Sequence, residues 1–428
     1  MQRLITRYKD QTELKDGGEI PALHGARFLM VFFVAIFHLW QLSWLTPQFT
    51  LFGHHISMDP LLRSGYMWVD GMLLLSGFLC YLPHAAAREA ARPAPAVLPF
   101  YVKRFWRIVP TYLLNLAVVL LVIILPQRLY ANPGQATGDI LAHITFTHNW
   151  FPYSYLRSPL NGVLWTLAVE VQFYVLFPLL ARAFRRMPLL TYAVMTGVAF
   201  AFRGYAATLP DSSMWFNQLP AFLDVYANGF VAAGIYVSLR RRMKEDSWTR
   251  VLMTVCAGAA VLVLAMLVRG QAAEAGSNAI RLGQMARRWP QSVMTALALL
   301  GLSLGLGGVR WLLGNPVTRF LSQISFQFYM WHQVVAAQMK RWGFPPSASN
   351  QPHMTGELAW QVPYVLLALL ISLVISALVT YMIERPLAGR ITGKKLRRVL
   401  YARPADNQTG SDPGALFLQG EAGGQGVD

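Results

Sequence analysis

The sequence is poor in cysteine, poor in charge, and poorest in acidic residues. Two cysteines, Cys80 and Cys256, occur in 428 residues, and both lie in apolar runs. That argues against a disulfide framework or a cysteine-based zinc module. Charged residues make up 13% of the chain, where a soluble domain carries about 25%. A water-facing surface of ordinary size cannot be built from so few. Acidic residues number 20 against 37 Lys and Arg, a formal charge of +17. The first twenty residues mix charges of both signs and lack the apolar core of a cleavable signal peptide.

Apolar residues are abundant, at 55% of the chain, and they fall into runs near the length of a bilayer span. Ten such runs are read, at about 24–45, 62–83, 107–126, 160–180, 187–206, 217–239, 250–269, 290–309, 317–338 and 361–384. The expected fold is an all-α integral membrane protein, a bundle of about ten transmembrane helices. Residues 1–20 form a polar N-terminal arm, 21–389 the membrane domain, and 390–428 a basic and then flexible tail. Pro178, Pro188 and Pro220 lie near the ends of the fourth, fifth and sixth runs.

A basic chain invites a nucleic-acid reading, but here the basic residues are distributed by side. With the N-terminus in the cytoplasm, Lys and Arg divide 26 to 10 between inner and outer segments. This is the asymmetry expected of cytoplasmic loops, and it places both termini inside. The exception is the outer segment 269–290, with Arg269, Arg281, Arg287 and Arg288. Two outer loops, 126–159 and 339–360, are long and aromatic, as interfacial anchors are.

Ionisable residues inside apolar runs are costly and usually functional. Arg27 and His38 bracket ten apolar residues in the first run. Eleven helical residues bring His38 back to within about 20° of Arg27's face, about 16 Å further along the axis. A mid-depth imidazole has the basicity to take a proton from a hydroxyl. Arg104 and Arg107, in Lys-Arg-Phe-Trp-Arg, share a helix face at the inner surface, where paired guanidinium groups suit phosphate. Glu170 falls five residues after Trp165 in the fourth run and needs a partner there. Asp70 and Ser76 lie in Trp-Val-Asp-Gly-Met-Leu-Leu-Leu-Ser-Gly-Phe-Leu. No Gly-x-Ser-x-Gly elbow surrounds Ser76, which reads as a packing serine rather than a nucleophile. His332 closes Tyr-Met-Trp-His in the ninth run, and Glu384 stands in Ile-Glu-Arg-Pro.

Together these motifs resemble the membrane-bound acyltransferase-3 family. The resemblance rests on Arg27 with His38, the Asp-Gly…Ser-Gly-Phe of 70–78, and Arg-x-x-Arg at 104–107. Leu-Trp-Thr-Leu-x-x-Glu at 164–170, Ile-Ser…Tyr-Met-Trp-His at 324–332 and Ile-Glu-Arg-Pro at 383–386 complete it. They follow in family order across residues 21 to 386. The resemblance implies an O-acyltransferase of the bacterial cytoplasmic (inner) membrane. It would move an acyl group, most often acetyl, from acyl-CoA to a hydroxyl of a sugar, glycan or glycosylated metabolite, with no metal. Some relatives carry an extracytoplasmic esterase-like domain after the last span, whereas about forty residues follow it here. Completion of transfer within the bundle, in a homo-oligomer, or by a partner acyl-carrier or esterase protein stays open. In the expected mechanism His38 is the base and Glu170 or Asp70 orients it. Arg104 and Arg107 hold the donor's phosphates. Arg27 helps bind donor or stabilises developing charge. Trp165, Ser76, Tyr329 and His332 line the substrate pocket. The alternative function is a transporter or flippase of a glycan or lipid-linked sugar, with the His, Glu and Asp as a proton relay.

Overall fold

The computed structural model describes residues 20–243 and 247–391. The expected N-terminal arm, up to residue 19, and the expected tail beyond residue 391 lie outside the described residues. Among those described, ten helices have twenty residues or more: α1 (Ala22–Ser43), α3 (Trp68–Glu89), α4 (Val97–Val118), α7 (Trp165–Arg186), α8 (Pro188–Ala207), α9 (Leu223–Arg242), α10 (Ser247–Ala272), α11 (Ser277–Leu304), α13 (Pro316–Arg341) and α14 (Leu358–Val379). Each overlaps one expected span. Among the described residues, seven helical segments are long and apolar enough to cross a membrane unaided, or eight if α11 and the following short helix count together. Helices α8 and α13 are long enough but too polar to pass by themselves. Their Arg203, Gln327 and His332 are buried inside the bundle instead.

The shorter elements are helices and one hairpin. Helix α2 (Asp59–Arg63) follows the exposed strands β1 (Gln48–Leu51) and β2 (His54–Ser57), which pair antiparallel. Helices α5 (Pro133–Ile144) and α6 (Pro152–Tyr155) give the 126–159 segment a structure of its own. There Asp139, His143 and His148 are buried, and Asp139 accepts hydrogen bonds from Tyr130 (2.8 Å) and Ser158 (2.5 Å). After α11 the chain bends by 107° into α12 (Gly307–Gly314). Helix α12 packs under the start of α1, where Gly25 meets Leu313 and Gly314 meets Pro21. Helix α4 continues through a π-helical turn at Val119–Ile124, and α14 through another at Thr380–Glu384 before α15 (Arg385–Ile391).

Helix α3 is the axis of the bundle. Its apolar residues are buried on nearly every side, as expected of a helix surrounded by helices. Small residues permit this. A Cβ on Gly229 of α9 would lie 2.5 Å from the Leu74 carbonyl oxygen, and one on Gly77 would lie 2.9 Å from the Tyr226 carbonyl oxygen. Helices α3 and α9 therefore touch backbone to backbone. Against α1, Gly71 meets Met30 and Gly65 meets Phe33 and Phe37. The two helices thus run antiparallel, with Ser76 and Cys80 towards the Ala22 end of α1. Helix α13 runs with α1. The Lys340 ammonium donates to the Leu42 carbonyl at 2.6 Å, capping the end of α1. Helix α10 turns Leu252, Val255, Leu262 and Met266 outward, all more than half exposed, the expected look of a lipid-facing helix.

Three of the expected spans are displaced. The second starts six residues early relative to α3, and the third and eighth start ten and thirteen residues late relative to α4 and α11. Arg281, Arg287 and Arg288 consequently stand on a helix and not in an outer loop. The hydropathy pattern misleads because arginines paired inside a bundle resemble loop arginines.

Gly229→Val should force α3 and α9 apart and cost about 1–3 kcal/mol. Gly197→Ala, facing open space on α8, should leave the melting temperature unchanged or slightly higher. Thermal unfolding of the detergent-purified protein distinguishes the two.

Candidate active site

The predicted polar residues gather at three levels along the bundle. Nearest the Ser43 end of α1, His38 meets His332 of α13, with Nδ1 and Nε2 2.8 Å apart. The backbone sets the proton order. His332 Nδ1 lies 3.1 Å from the Phe328 carbonyl oxygen, one turn back. A carbonyl only accepts, so His332 carries its proton on Nδ1 and presents a bare Nε2. In the neutral pair His38 then donates through Nδ1, and its Nε2 is left with a free lone pair. His332 is buried whereas His38 is partly exposed. Such an arrangement can supply a general base held by an orienting acceptor, the logic of an acid–base relay.

Polar contacts fix α13 beside this pair. Tyr329, whose ring lies 5.8 Å from that of His332, accepts from Thr166 Oγ1 at 2.9 Å. Asn161 donates to the Met330 carbonyl at 2.7 Å and to Asn115 Oδ1 at 3.0 Å. Asn115 and Asn161 were missed in the sequence reading. Their only signal was an amide inside or beside an apolar run.

The middle level holds Asp70. It was expected, with Glu170, as a candidate to orient His38, and neither does so. Asp70 Oδ2 lies 3.4 Å from Arg288 Nε, and both side chains are fully buried. The Arg288 guanidinium lies 3.8 Å over the Phe222 ring and donates to the Phe216 carbonyl at 2.8 Å. Trp165 stacks against Phe222, with ring centroids 6.1 Å apart. Beside the Asp70–Arg288 pair, Arg203 forks onto both oxygens of Asp224 at 2.9 and 2.6 Å. Asp70 sits at the register of Met30, about two helical turns from His38, too far to hold its imidazole.

The third level lies towards the Ala22 end. Glu170 Oε1 accepts from Ser76 Oγ at 2.8 Å and from the Tyr174 hydroxyl. Arg104 donates to Tyr174 at 3.4 Å and to Cys80 Sγ at 3.2 Å, with its guanidinium 4.8 Å over the Tyr174 ring. Ser76, Arg104 and Glu170 all keep some exposure, so this is an open polar patch, not a sealed core pair. Arg107, one turn on, is an electrostatic neighbour of Glu384, which accepts from Gln327 at 2.7 Å. Arg27 is half-buried on α1 at about the register of this patch. Among the described residues no group of three His, Cys, Asp or Glu side chains is arranged to hold a metal ion.

A family model described as an acyltransferase domain matches residues 20–378. The chain belongs to the acyltransferase-3 family. A putative O-acetyltransferase of Staphylococcus aureus is 27% identical over 187 residues, covering 41% of this chain and 27% of that protein. O-acetyltransferase OatA of Staphylococcus aureus is 29% identical over 171 residues, 37% of this chain and 24% of the relative. Peptidoglycan O-acetyltransferase OatA of Listeria monocytogenes is 28% identical over 170 residues, with the same two shares. The chain thus matches about a quarter of the length of these relatives. No solved structure matches. The family and the many long apolar helices make this a multi-pass membrane protein with an acyltransferase domain.

Removing either partner of the Asp70–Arg288 pair should strand a buried charge. Asp70→Leu or Arg288→Leu should each lose about 3–5 kcal/mol of stability, and the double variant should recover much of it. Equal melting temperatures for wild type and single variants would refute the pairing.

Proposed function

We propose that this acyltransferase-3 protein moves an acetyl group from acetyl-CoA to a hydroxyl of a sugar or glycan, in a bacterial cytoplasmic membrane. The observation that carries the mechanism is the His38–His332 hydrogen bond, which leaves a lone pair on His38 Nε2 in a partly exposed side chain. His38 Nε2 takes the proton of the acceptor hydroxyl as its oxygen attacks the thioester carbonyl. The C–S bond then breaks, and the leaving thiolate takes the proton back from the imidazolium. His332 is a positioning residue: it holds the ring and accepts from Nδ1, the part first assigned to Glu170 or Asp70.

Donor binding belongs at the opposite level. With the Ala22 end of α1 on the cytoplasmic side, Arg104, Arg107 and Arg27 stand where a cytoplasmic donor arrives. Arg27 is about 16 Å along the helix from His38, too far to stabilise an oxyanion formed there, so its role lies with the donor. The pantetheine arm bridges that interval and carries the thioester past Ser76 and Glu170. The glycan acceptor is supported by the relative named as a peptidoglycan O-acetyltransferase.

His38→Ala should reduce acetyl transfer by about 10²–10⁴-fold while the protein still inserts. His332→Gln, whose amide oxygen can accept from His38 Nδ1, should retain more activity than His332→Leu. The rate of the wild type should fall on the acid side, because a protonated pair has no lone pair to offer. The assay is acetyl transfer from acetyl-CoA by the purified full chain, with mass spectrometry of cell-surface glycans to find the acetylated product. Full turnover by His38→Ala would reject the base.

A further inference from the structure

Where α7 leaves the bundle it carries three arginines that the mechanism does not use. Arg182, Arg185 and Arg186 are spaced three and four apart on the last turn and a half of the helix, so they share one face. They line a cavity of about 390 Å³, within the range of sites that bury a small ligand. The lining also includes His84, the Ala94–Val97 stretch that leads into α4, and an aromatic floor of Phe100 and Phe177, whose rings lie 4.7 Å apart. No carboxylate lines it. Arg185 ties the wall in place by donating from Nη2 to the Arg92 carbonyl at 2.6 Å. Its Nη1 is buried with no hydrogen-bond partner, a costly state for a guanidinium unless an acceptor is supplied.

Arg182 and Arg186 are exposed and Arg185 is half-buried, yet all three border one cavity. Here the basic face lies across a concave, aromatic-floored space. The floor also leads to the open polar patch. Phe100 packs edge-on to Tyr174 and lies 5.5 Å under the Arg104 guanidinium, one helical turn away. A molecule with a phosphorylated, flat, aromatic end and a long arm would lay the ring on the phenylalanines. Its phosphate would meet the arginines, and the arm would run past Arg104.

We infer that this cavity binds the 3′-phosphorylated adenosine end of the coenzyme A donor. The inference rests on the acyl-CoA reading above and deepens it. The donor's diphosphate lies at Arg104, and its terminal phosphate lies one turn further out, against Arg182, Arg185 and Arg186. Without this cavity, Arg27, Arg104 and Arg107 would be left to hold a ligand whose charge extends beyond their reach.

The test is binding, independent of turnover. Coenzyme A, dephospho-coenzyme A (lacking the 3′-phosphate) and 3′,5′-adenosine diphosphate are titrated onto the detergent-purified full chain and onto the Arg182→Gln/Arg185→Gln/Arg186→Gln variant. The wild type should bind coenzyme A at least about tenfold tighter than dephospho-coenzyme A, as charge-assisted bonds to one phosphate allow. It should also bind 3′,5′-adenosine diphosphate. The variant should lose that preference and that binding, while its affinity for S-acetylpantetheine stays as in the wild type. An unchanged preference in the variant overturns the inference and leaves the donor reading intact. Loss of co-purified anionic phospholipid with no change in coenzyme A affinity also overturns it, assigning the cavity to lipid headgroups. Wild type that binds none of the coenzyme A compounds defeats the acyl-CoA reading and this inference with it. A variant that melts well below the wild type is replaced by Arg185→Gln alone, which should show the same loss of preference in smaller measure.

Discussion

The buried contact between Asp70 and Arg288 sets the terms for the rest of the bundle. A charge in hydrocarbon must find its counter-charge in the protein, because no water is there to supply one. Asp70 rides on α3 and Arg288 on α11, while Arg203 of α8 and Asp224 of α9 form the adjoining pair. Four helices are therefore held at one register by groups that none could bury alone. The carbonyls of Phe216 and Ala221 take up further donors of the two arginines. With α3 fixed in this way, its glycines bring α9 to backbone contact, and Ser76 is carried to the carboxylate of Glu170.

The polar levels above and below that pair have different character. At the Ser43 end of α1, the pair of imidazoles needs no charge to be stable, since one neutral ring donates and the other accepts. A carboxylate in that place would have brought a second buried charge requiring its own partner. At the Ala22 end the groups are ionic but partly exposed, and the Tyr174 hydroxyl lies between Glu170 and Arg104. The neutral level suits proton transfer within the membrane, and the charged level suits a charged ligand arriving from water. Their separation along α1 is the interval that the arm of the donor is proposed to span.

How much of this was legible beforehand depended on whether the signal was local. Apolar runs of membrane length are local, so each of the ten expected spans overlaps a long helix. Boundaries were less secure where charge was buried. Arg288 was counted with an outer loop because an arginine looks the same in sequence whether it faces water or lies over Phe222. The segment 126–159 was read as loop, although Asp139, His143 and His148 are buried in it, because their packing partners lie elsewhere in the chain.

By itself, the sequence determined that this chain lives in a membrane as helices, that it belongs with the acyltransferases, and which few polar residues interrupt its apolar runs. Those are properties of composition, spacing and motif order. Only the tertiary structure decided which polar residue meets which. His38 and His332 stand 294 positions apart, and helical periodicity gives no information about a partner on another helix. From the sequence Glu170 and Asp70 were the expected partners of His38, and His332 was placed only in the substrate pocket. Asp70 lies about two turns away with an arginine of its own, Glu170 is held by Ser76 and Tyr174, and the Phe328 carbonyl turns His332 into the acceptor that His38 requires.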